Sequence, residues 1–245
     1  MKDGSDPART HIQPKGQPMI DVEDVAKSFV LHNQGGARIP VLQGVRLSVA
    51  PGECVAFTGA SGAGKSTLMR MIYGNYVAQT GAIRINGTNI VNAEPRTVLR
   101  LRRDTLGYVS QFLRVVPRVP TLDVVAEPLL AVGTAPDAAR ARASELLDRL
   151  NIPRTLWSLS PTTFSGGEQQ RVNIARGFAF AYPAMLLDEP TASLDTANRD
   201  VVLRLIEEAK DRGAAIAGIF HDETARNRVC DRAIDVSDFT PEDAA

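Results

Sequence analysis

The sequence has few of the residues that mark several protein classes. Its 245 residues include two cysteines and one tryptophan, and the 28 Lys and Arg residues balance the 28 Asp and Glu residues. Cys54 and Cys230 have no metal-ligand spacing, which argues against a disulfide scaffold and a cysteine-based metal centre. A net charge of +0 provides no basic field for nucleic acid. We therefore expect free thiols in a reducing cytoplasm and no nucleic-acid partner.

Long apolar runs are also missing. No segment approaches the roughly 18 consecutive apolar residues that predict a membrane-spanning helix. Residues 1–18 are polar and contain three prolines, so we expect a disordered tail and no signal peptide there. The remaining composition, 44% hydrophobic and 23% charged, is that of a globular protein. A chain of this length and composition can bury a hydrophobic core large enough for one domain with a subdomain.

The most informative pattern present is a glycine-rich loop that ends in lysine. Residues 59–67 have the form G-x-x-x-x-G-K-[ST], the Walker A pattern, after an apolar stretch at 54–58. Its glycines leave backbone N–H groups free to surround phosphates, and the following helix adds its positive dipole end. Lys65 supplies a charge for the β- and γ-phosphates, and the Ser66 hydroxyl can ligate Mg2+. The predicted ATP site comprises Gly59, Ser61, Gly62, Ala63, Gly64, Lys65, Ser66 and Thr67.

The spacing of apolar residues predicts the order of elements around this loop. Alternation indicates antiparallel strands, helical spacing indicates helices with Thr121 and Asp137 as N-caps, and uninterrupted apolar runs indicate buried parallel strands. The expected strands are within 19–53 and at 54–58, 81–87, 107–111, 184–188 and 214–220, and the expected helices begin at 65, 121, 137, 166 and 196.

Polar residues follow three of the expected strands. Asp188 ends an apolar run where a carboxylate can lie beside Mg2+, and Glu189 is placed to polarise or deprotonate the attacking water. Gln111 can ligate Mg2+ or hold water, and His221 can donate to the γ-phosphate. Taken alone, each residue has a simpler interpretation. Asp188 and Glu189 could be a capping pair, Gln111 an exposed glutamine, and His221 a histidine at the end of a strand. Their order after a Walker A loop favours a hydrolytic site.

A second glycine turn lies at Ser165-Gly166-Gly167-Glu168. With Ser165 at a helix N-cap, it is either a second anion site or an ordinary capped helix. One nucleotide does not need two such loops on one chain. Phe29 is an aromatic residue near the start of the chain, and it either stacks on adenine or packs in the core.

The order of these motifs resembles the ATP-binding-cassette (ABC) ATPase family over about residues 19–236. The resemblance implies an α/β fold with a P-loop, RecA-like core on a parallel sheet. It further implies an antiparallel β front subdomain, a helical insert at about 112–178, and a C-terminal tail at 237–245. The implied assembly is a homodimer with ATP at its interface. There Ser165, Gly166, Gly167 and Glu168 contact the nucleotide of the other subunit, and Asp195 lies at the dimer seam.

The resemblance also implies roles for the strand-end residues. Glu189, His221 and Gln111 are the expected catalytic residues, and Ser66, Gln111 and Asp188 are the expected Mg2+ ligands.

Longer segments, at 27–32, 108–118, 163–178 and 218–223, resemble the PhnL family, the ATP-binding proteins of the bacterial carbon–phosphorus lyase system. This resemblance implies action with lyase subunits in a step that joins an alkylphosphonate to the ribose of ATP. That step displaces adenine and yields a ribose 1-alkylphosphonate 5-triphosphate. Because Gln111-Phe112 also resembles the lipoprotein-exporter branch, the alternative is an ABC transporter subunit with a membrane permease. Glu189 and His221 disfavour a third class, a binding module without turnover.

Overall fold

The computed structural model describes residues 17–31 and 35–241. The tail predicted at 1–18 therefore lies outside the described residues, except for its last two positions. The strands are β1 Ile20–Leu31, β2 Ala37–Val49, β3 Cys54–Thr58, β4 Thr80–Ile85, β5 Thr88–Asn89, β6 Leu106–Val109, β7 Ala184–Asp188, β8 Ala215–Ile219 and β9 Arg232–Asp235. The α-helices are α1 Lys65–Ile72, α2 Pro95–Asp104, α3 Thr121–Ala131, α4 Pro136–Arg149, α5 Gly166–Gly177, α6 Thr196–Asp211 and α7 Glu223–Val229.

A parallel sheet with the order β6-β7-β8-β3-β9 forms the centre of the protein. Every residue of β7 and β8 is buried, because helices cover one face of the sheet and α1 together with β1 and β2 covers the other. This explains their uninterrupted apolar sequences. Ile219 pairs with Asp188 on one side and with Phe57 on the other. Because these three strands are parallel, their carboxyl ends lie at the same edge of the sheet. This edge therefore carries the Walker loop, Glu189 and the segment that contains His221.

The predicted antiparallel front is a second sheet, with the order β2-β1-β4-β5. Its apolar face shares a core with β3 and α1. This sheet also reaches the Walker loop, since a Cβ atom added to Gly64 would lie 2.9 Å from Cδ2 of Leu42. A separate core joins α3, α4 and α5 to the other face of the parallel sheet. Together these parts form the architecture that the ABC ATPase resemblance implies.

Several local predictions were wrong. The N-caps of α3 and α4 are Pro120 and Ala135, not Thr121 and Asp137. The Thr121 hydroxyl instead donates to the carbonyl of Leu159 at 2.8 Å, which ties α3 to a neighbouring loop. The sequence reading also missed α2, which has only one buried residue, and the seven-residue helix α7.

The described residues test the expectations about membrane helices, cysteines and the C-terminal tail. Its helices are all too short or too polar to cross a membrane. Cys54 and Cys230 are free thiols, as predicted. Residues 236–239, which span the expected boundary between the domain and the C-terminal tail at 237–245, form a 3-10 helix in which Val236 is buried. This helix matters for the site because Ser237 lies against Gly59.

Candidate active site

Three glycines of the Walker loop have a left-handed backbone, and Gly59 and Gly64 are also packed too closely to carry a side chain. Gly59 has φ +124°, and an added Cβ would lie 2.8 Å from both Asp235 Oδ1 and Ser237 Oγ. Gly64 has φ +96° at the first turn of α1. Both values lie in the region that side chains with a Cβ rarely adopt. The loop is thus packed on two sides, by β9 and the segment after it at Gly59 and by β2 at Gly64.

Lys65 and Ser66 lie at the helix start that this loop feeds. The Lys65 ammonium donates to the carbonyls of Gly59 at 2.7 Å and Ala60 at 2.8 Å, which holds the charge over the loop. Ser66 is exposed. The helix start has no side-chain cap, and its first turn has no acidic residue. Its N–H groups are thus available to an anion such as a phosphate.

Asp188 is the buried carboxylate of the site. It ends β7 with only 4% of its surface exposed, and burial raises the pKa of its carboxyl above the ordinary value. The Tyr108 hydroxyl on β6 donates to Asp188 Oδ2 at 3.1 Å. Among the described residues no Lys or Arg forms an ion pair with Asp188. A buried, unneutralised carboxylate together with hydroxyl and amide oxygens from Ser66 and Gln111 is a donor set that fits Mg2+.

Glu189 brings the three predicted catalytic residues together. Its Oε1 is 2.8 Å from His221 Nε2, and the Gln111 side-chain amide donates to its Oε2 at 3.5 Å. Its backbone has φ +54°, a strained value for a residue with a side chain, and its N–H donates to Ile219 O at 3.0 Å. The chain turn after β7 therefore directs this carboxylate toward residues from the ends of two neighbouring strands.

Two buried amides of α5 were missed by the sequence reading. The Gln170 side chain donates to the carbonyl of Glu189 at 3.5 Å, and Asn173 donates to the carbonyl of Ser110, next to Gln111. Both amides are over 90% buried. A usable signal was present, because the two polar residues lie three positions apart on an otherwise apolar helix face. They connect the helix of the second glycine turn to the ends of β7 and β6.

The second glycine turn forms a complete capping box. Ser165 Oγ accepts from the Glu168 N–H, and the Glu168 carboxylate accepts from the Ser165 N–H at 2.9 Å. These hydrogen bonds from Ser165 lower the pKa of the Glu168 carboxyl. The space beside Gly166 is open, since an added Cβ would meet nothing within 4 Å. Among the described residues no hydrogen bond joins residues 165–168 to the Walker loop of the same chain.

The two remaining predicted residues have local roles in the isolated chain. Asp195 is exposed and caps α6, where its Oδ1 accepts from the Asn198 N–H at 2.8 Å. The partly exposed Phe29 ring packs edge-on against Tyr76, with ring centroids 5.3 Å apart. The Lys27 ammonium is 5.1 Å from the Phe29 centroid.

Comparison with known proteins identifies the family of this chain. The family model described as ABC transporter matches residues 42–192. The chain belongs to the ABC transporter ATP-binding family. It is 39% identical over 220 residues to the lipoprotein-releasing system ATP-binding protein LolD of Novosphingobium aromaticivorans, with 89% of this chain and 95% of that protein covered. It is 36% identical over 207 residues to the ABC transporter ATP-binding protein YtrE of Bacillus subtilis, covering 84% and 89%.

Longer relatives and solved structures extend the comparison. The macrolide export ATP-binding/permease protein MacB of Marinobacter nauticus is 36% identical over 222 residues, and the chain spans about a third of its length (34%, with 91% of this chain covered). The dimeric, post-hydrolysis structure of the ATP-binding cassette MJ0796 with ADP and Pi has a TM-score of 0.81 and 27% identity, covering 89% of this chain and 95% of that one. The ABC ATPase fold is thereby confirmed. The relatives' names are those of transport systems, so they favour the transporter alternative over the carbon–phosphorus lyase reading.

The Tyr108–Asp188 hydrogen bond leads to a prediction about Mg2+. Tyr108→Phe keeps the ring but removes the donor that orients Asp188, so the Mg2+ concentration for half-maximal ATP hydrolysis should rise about 10-fold. The matched control is Tyr73→Phe, because the Tyr73 ring packs against the Tyr108 ring at a tilt of 47°, with centroids 4.8 Å apart. Among the described residues the Tyr73 hydroxyl has no hydrogen-bond partner. Equal Mg2+ dependence in both variants would show that the bond does not position Asp188.

Proposed function

We propose that the chain binds and hydrolyses Mg-ATP as a homodimer and serves as the ATP-binding subunit that drives a membrane permease. The observation that carries the hydrolytic part is the convergence of His221 and Gln111 on the Glu189 carboxylate. Glu189 immediately follows Asp188, the buried carboxylate suited to Mg2+. A carboxylate fixed next to a metal site is the arrangement that general-base catalysis of phosphoryl transfer to water requires.

In this proposal each part of the chain has a defined task. The Walker loop and the start of α1 bind the phosphates through backbone N–H groups, and Lys65 turns from its loop carbonyls toward the β- and γ-phosphates. Ser66, Asp188 and Gln111 would hold Mg2+, which neutralises developing charge on the phosphates. Phe29 stacks on the adenine from the edge of β1.

Glu189 accepts the proton of the attacking water. His221 Nε2, 2.8 Å from Glu189 Oε1, fixes the carboxylate and is exposed enough to reach the γ-phosphate, since 68% of its side chain is accessible. The hydrogen bond from Gln111 to Glu189 is weak because it is 3.5 Å long. The Gln111 amide can therefore leave Glu189 and bind a metal ion or a water at a small cost in free energy. The three side chains thus link recognition of the γ-phosphate to activation of water.

A second copy of the chain completes the proposed site. The open space beside Gly166 suits a phosphate that the chain's own Walker loop does not supply. The Ser165 cap bonds only the Glu168 N–H, so among the described residues the N–H groups of Gly166 and Gly167 remain available to that phosphate. The dimeric structures of MJ0796 support this arrangement, and 95% of that chain is covered by the match. In the dimer, Asp195 at the start of α6 lies at the seam between the two copies.

The exposed segment after Gln111 supports a partner-docking role. Phe112 and Val116 are 69% and 71% exposed, the two highest values among the large apolar side chains of the described residues. Because this segment begins at Gln111, force or displacement from a partner would reach the amide that contacts Glu189. The similarity to LolD and YtrE favours a permease as this partner. In this proposal the chain meets the permease from the cytoplasmic side.

A carbon–phosphorus lyase subunit is the second candidate partner. The observation that favours it is the PhnL-like segment 108–118, in which Arg114 and Arg118 are exposed between apolar residues. Such a mixed surface suits a soluble partner with acidic groups at least as well as a membrane protein. In that case the ATPase would act in forming the ribose 1-alkylphosphonate 5-triphosphate with its partner subunits.

Loss of the general base should separate ATP binding from hydrolysis. Glu189→Gln keeps the shape of the side chain but cannot accept a proton, so turnover should fall about 10²- to 10⁴-fold while ATP still binds. ATP should then hold two chains together, which light scattering with Mg-ATP measures directly. Glu223→Gln is the matched control, because Glu223 is an exposed carboxylate near His221 whose only described ion pair is with Arg226. A Glu189→Gln protein that stays monomeric at saturating ATP would contradict the dimer.

Charge reversal in the docking segment should identify the partner. Arg114→Glu/Arg118→Glu should reduce recovery of the natural partner from native cells without changing ATP binding, because neither residue contacts the described phosphate-binding groups. Arg46→Glu/Arg204→Glu, two exposed positions on β2 and α6, provides the matched control. Recovery of a permease supports the transporter proposal, and recovery of lyase subunits without a permease replaces it with the second candidate.

A further inference from the structure

Two thiols that are distant in the sequence lie together in the fold. The Sγ atoms of Cys54 and Cys230 are 3.4 Å apart, although 176 positions separate the residues. Cys54 is the first residue of β3 and is fully buried, whereas Cys230 directly follows α7 and is partly exposed. The chain has no other cysteine. Neither the ATP site nor the docking segment uses this pair.

Backbone and charge interactions hold the two residues in place. The Cys54 N–H donates to Asp231 Oδ2 at 2.7 Å, and the Asp231 N–H donates to the Cys54 carbonyl at 2.8 Å. The Lys210 ammonium on α6 donates to Val229 O at 2.8 Å and to Asp231 Oδ1 at 3.0 Å. The residues on both sides of Cys230 are therefore fixed to β3 and α6. This arrangement keeps the sulfur atoms adjacent without a covalent bond.

The two thiols have unequal chemistry. The hydrogen bond from the Cys54 thiol, helped by the positive charge of Lys210, lowers the pKa of Cys230, although its partial burial and the charge of Asp231 oppose this change. The hydrogen bond to Cys230, together with burial, raises the pKa of Cys54. Arg226 is the other charged group that favours the Cys230 thiolate. Cys230 is thus both the better nucleophile and the more accessible sulfur, and Cys54 is the protected neighbour that can resolve an oxidised form.

We propose that Cys54 and Cys230 form a dithiol modification site that a peroxide converts to an intrachain disulfide. The Cys230 thiolate attacks one peroxide oxygen, the O–O bond breaks, and the leaving hydroxide takes a proton to become water. The sulfur of Cys54 then attacks the Cys230 sulfenic acid, so that an S–S bond forms, the S–O bond breaks, and the proton of Cys54 leaves with the hydroxide as a second water. The two thiols together lose two electrons, and a dithiol reductant restores them.

The position of the bond gives it a structural consequence. It would join the start of the strand that enters the Walker loop to the end of the helix whose N-cap, Asp222, follows His221. Because it closes a loop across 176 positions, it restrains the unfolded chain strongly. The oxidised protein should therefore melt roughly 5 to 10 °C above the reduced protein.

Peptide mapping of the full-length chain tests the proposal. The reduced, desalted protein is treated with hydrogen peroxide, denatured with an alkylating reagent present, and digested. The expected product is a peptide containing Cys54 joined to a peptide containing Cys230, with the mass of two hydrogen atoms lost and no free thiol left. Dithiothreitol should restore both thiols and the lower Tm. Methionine oxidation, which adds oxygen and is not reversed by dithiothreitol, is distinguished by mass.

Single-cysteine variants assign the two roles. Cys54→Ser should leave a Cys230 sulfenic acid that a 1,3-dione probe captures, whereas Cys230→Ser should leave Cys54 unmodified in the native protein. Two thiols that stay free in the wild type, a disulfide between two chains, or Cys230 oxidised to sulfinic acid beside a free Cys54 would each overturn the proposal. The wild-type peptide map decides the question even if a variant does not fold. None of these readouts depends on ATP turnover.

Discussion

The Glu189 carboxylate and its two side-chain partners depend on one feature of the backbone at the end of β7. There the chain takes a left-handed turn at Glu189, and the N–H of this residue bonds to the last residue of β8. The turn directs the carboxylate across the sheet edge, where His221 from the segment after β8 and Gln111 from the segment after β6 can reach it. The packing of the fully buried strands β7 and β8 stabilises this strained backbone conformation.

The helical part of the protein is attached to the same point. Gln170 bonds to the carbonyl of Glu189, and Asn173 bonds to the carbonyl before Gln111. Both residues lie on α5, whose first turn is the capped Ser165–Glu168 loop. A shift of α5 therefore changes the environment of the proposed base and of the amide that contacts it. This is a physical route by which a second nucleotide-bound chain at Ser165, or a partner at the 112–118 segment, would affect hydrolysis.

Much of this arrangement could be predicted from the sequence, and the exceptions have physical reasons. The strand Ala184–Asp188 was found with its exact bounds because both faces are buried and the sequence is uniformly apolar. Helix α2 was missed because it carries four arginines and buries only Leu101. Tyr108 was not assigned a role because its bond to Asp188 joins positions 80 apart, and a single sequence contains no information on such pairs. The proximity of Cys54 and Cys230 was hidden for the same reason.

The rate of ATP hydrolysis by His221→Ala tests the central claim most directly. If His221 fixes the base, this variant should still bind ATP through the Walker loop and melt as the wild type does, but at saturating ATP it should hydrolyse ATP roughly 100-fold more slowly. His221→Gln, which can still donate a hydrogen bond to Glu189, should recover part of the loss. A wild-type rate in His221→Ala, measured at saturating Mg-ATP, would show that the contact between His221 and Glu189 is not what makes this site hydrolytic.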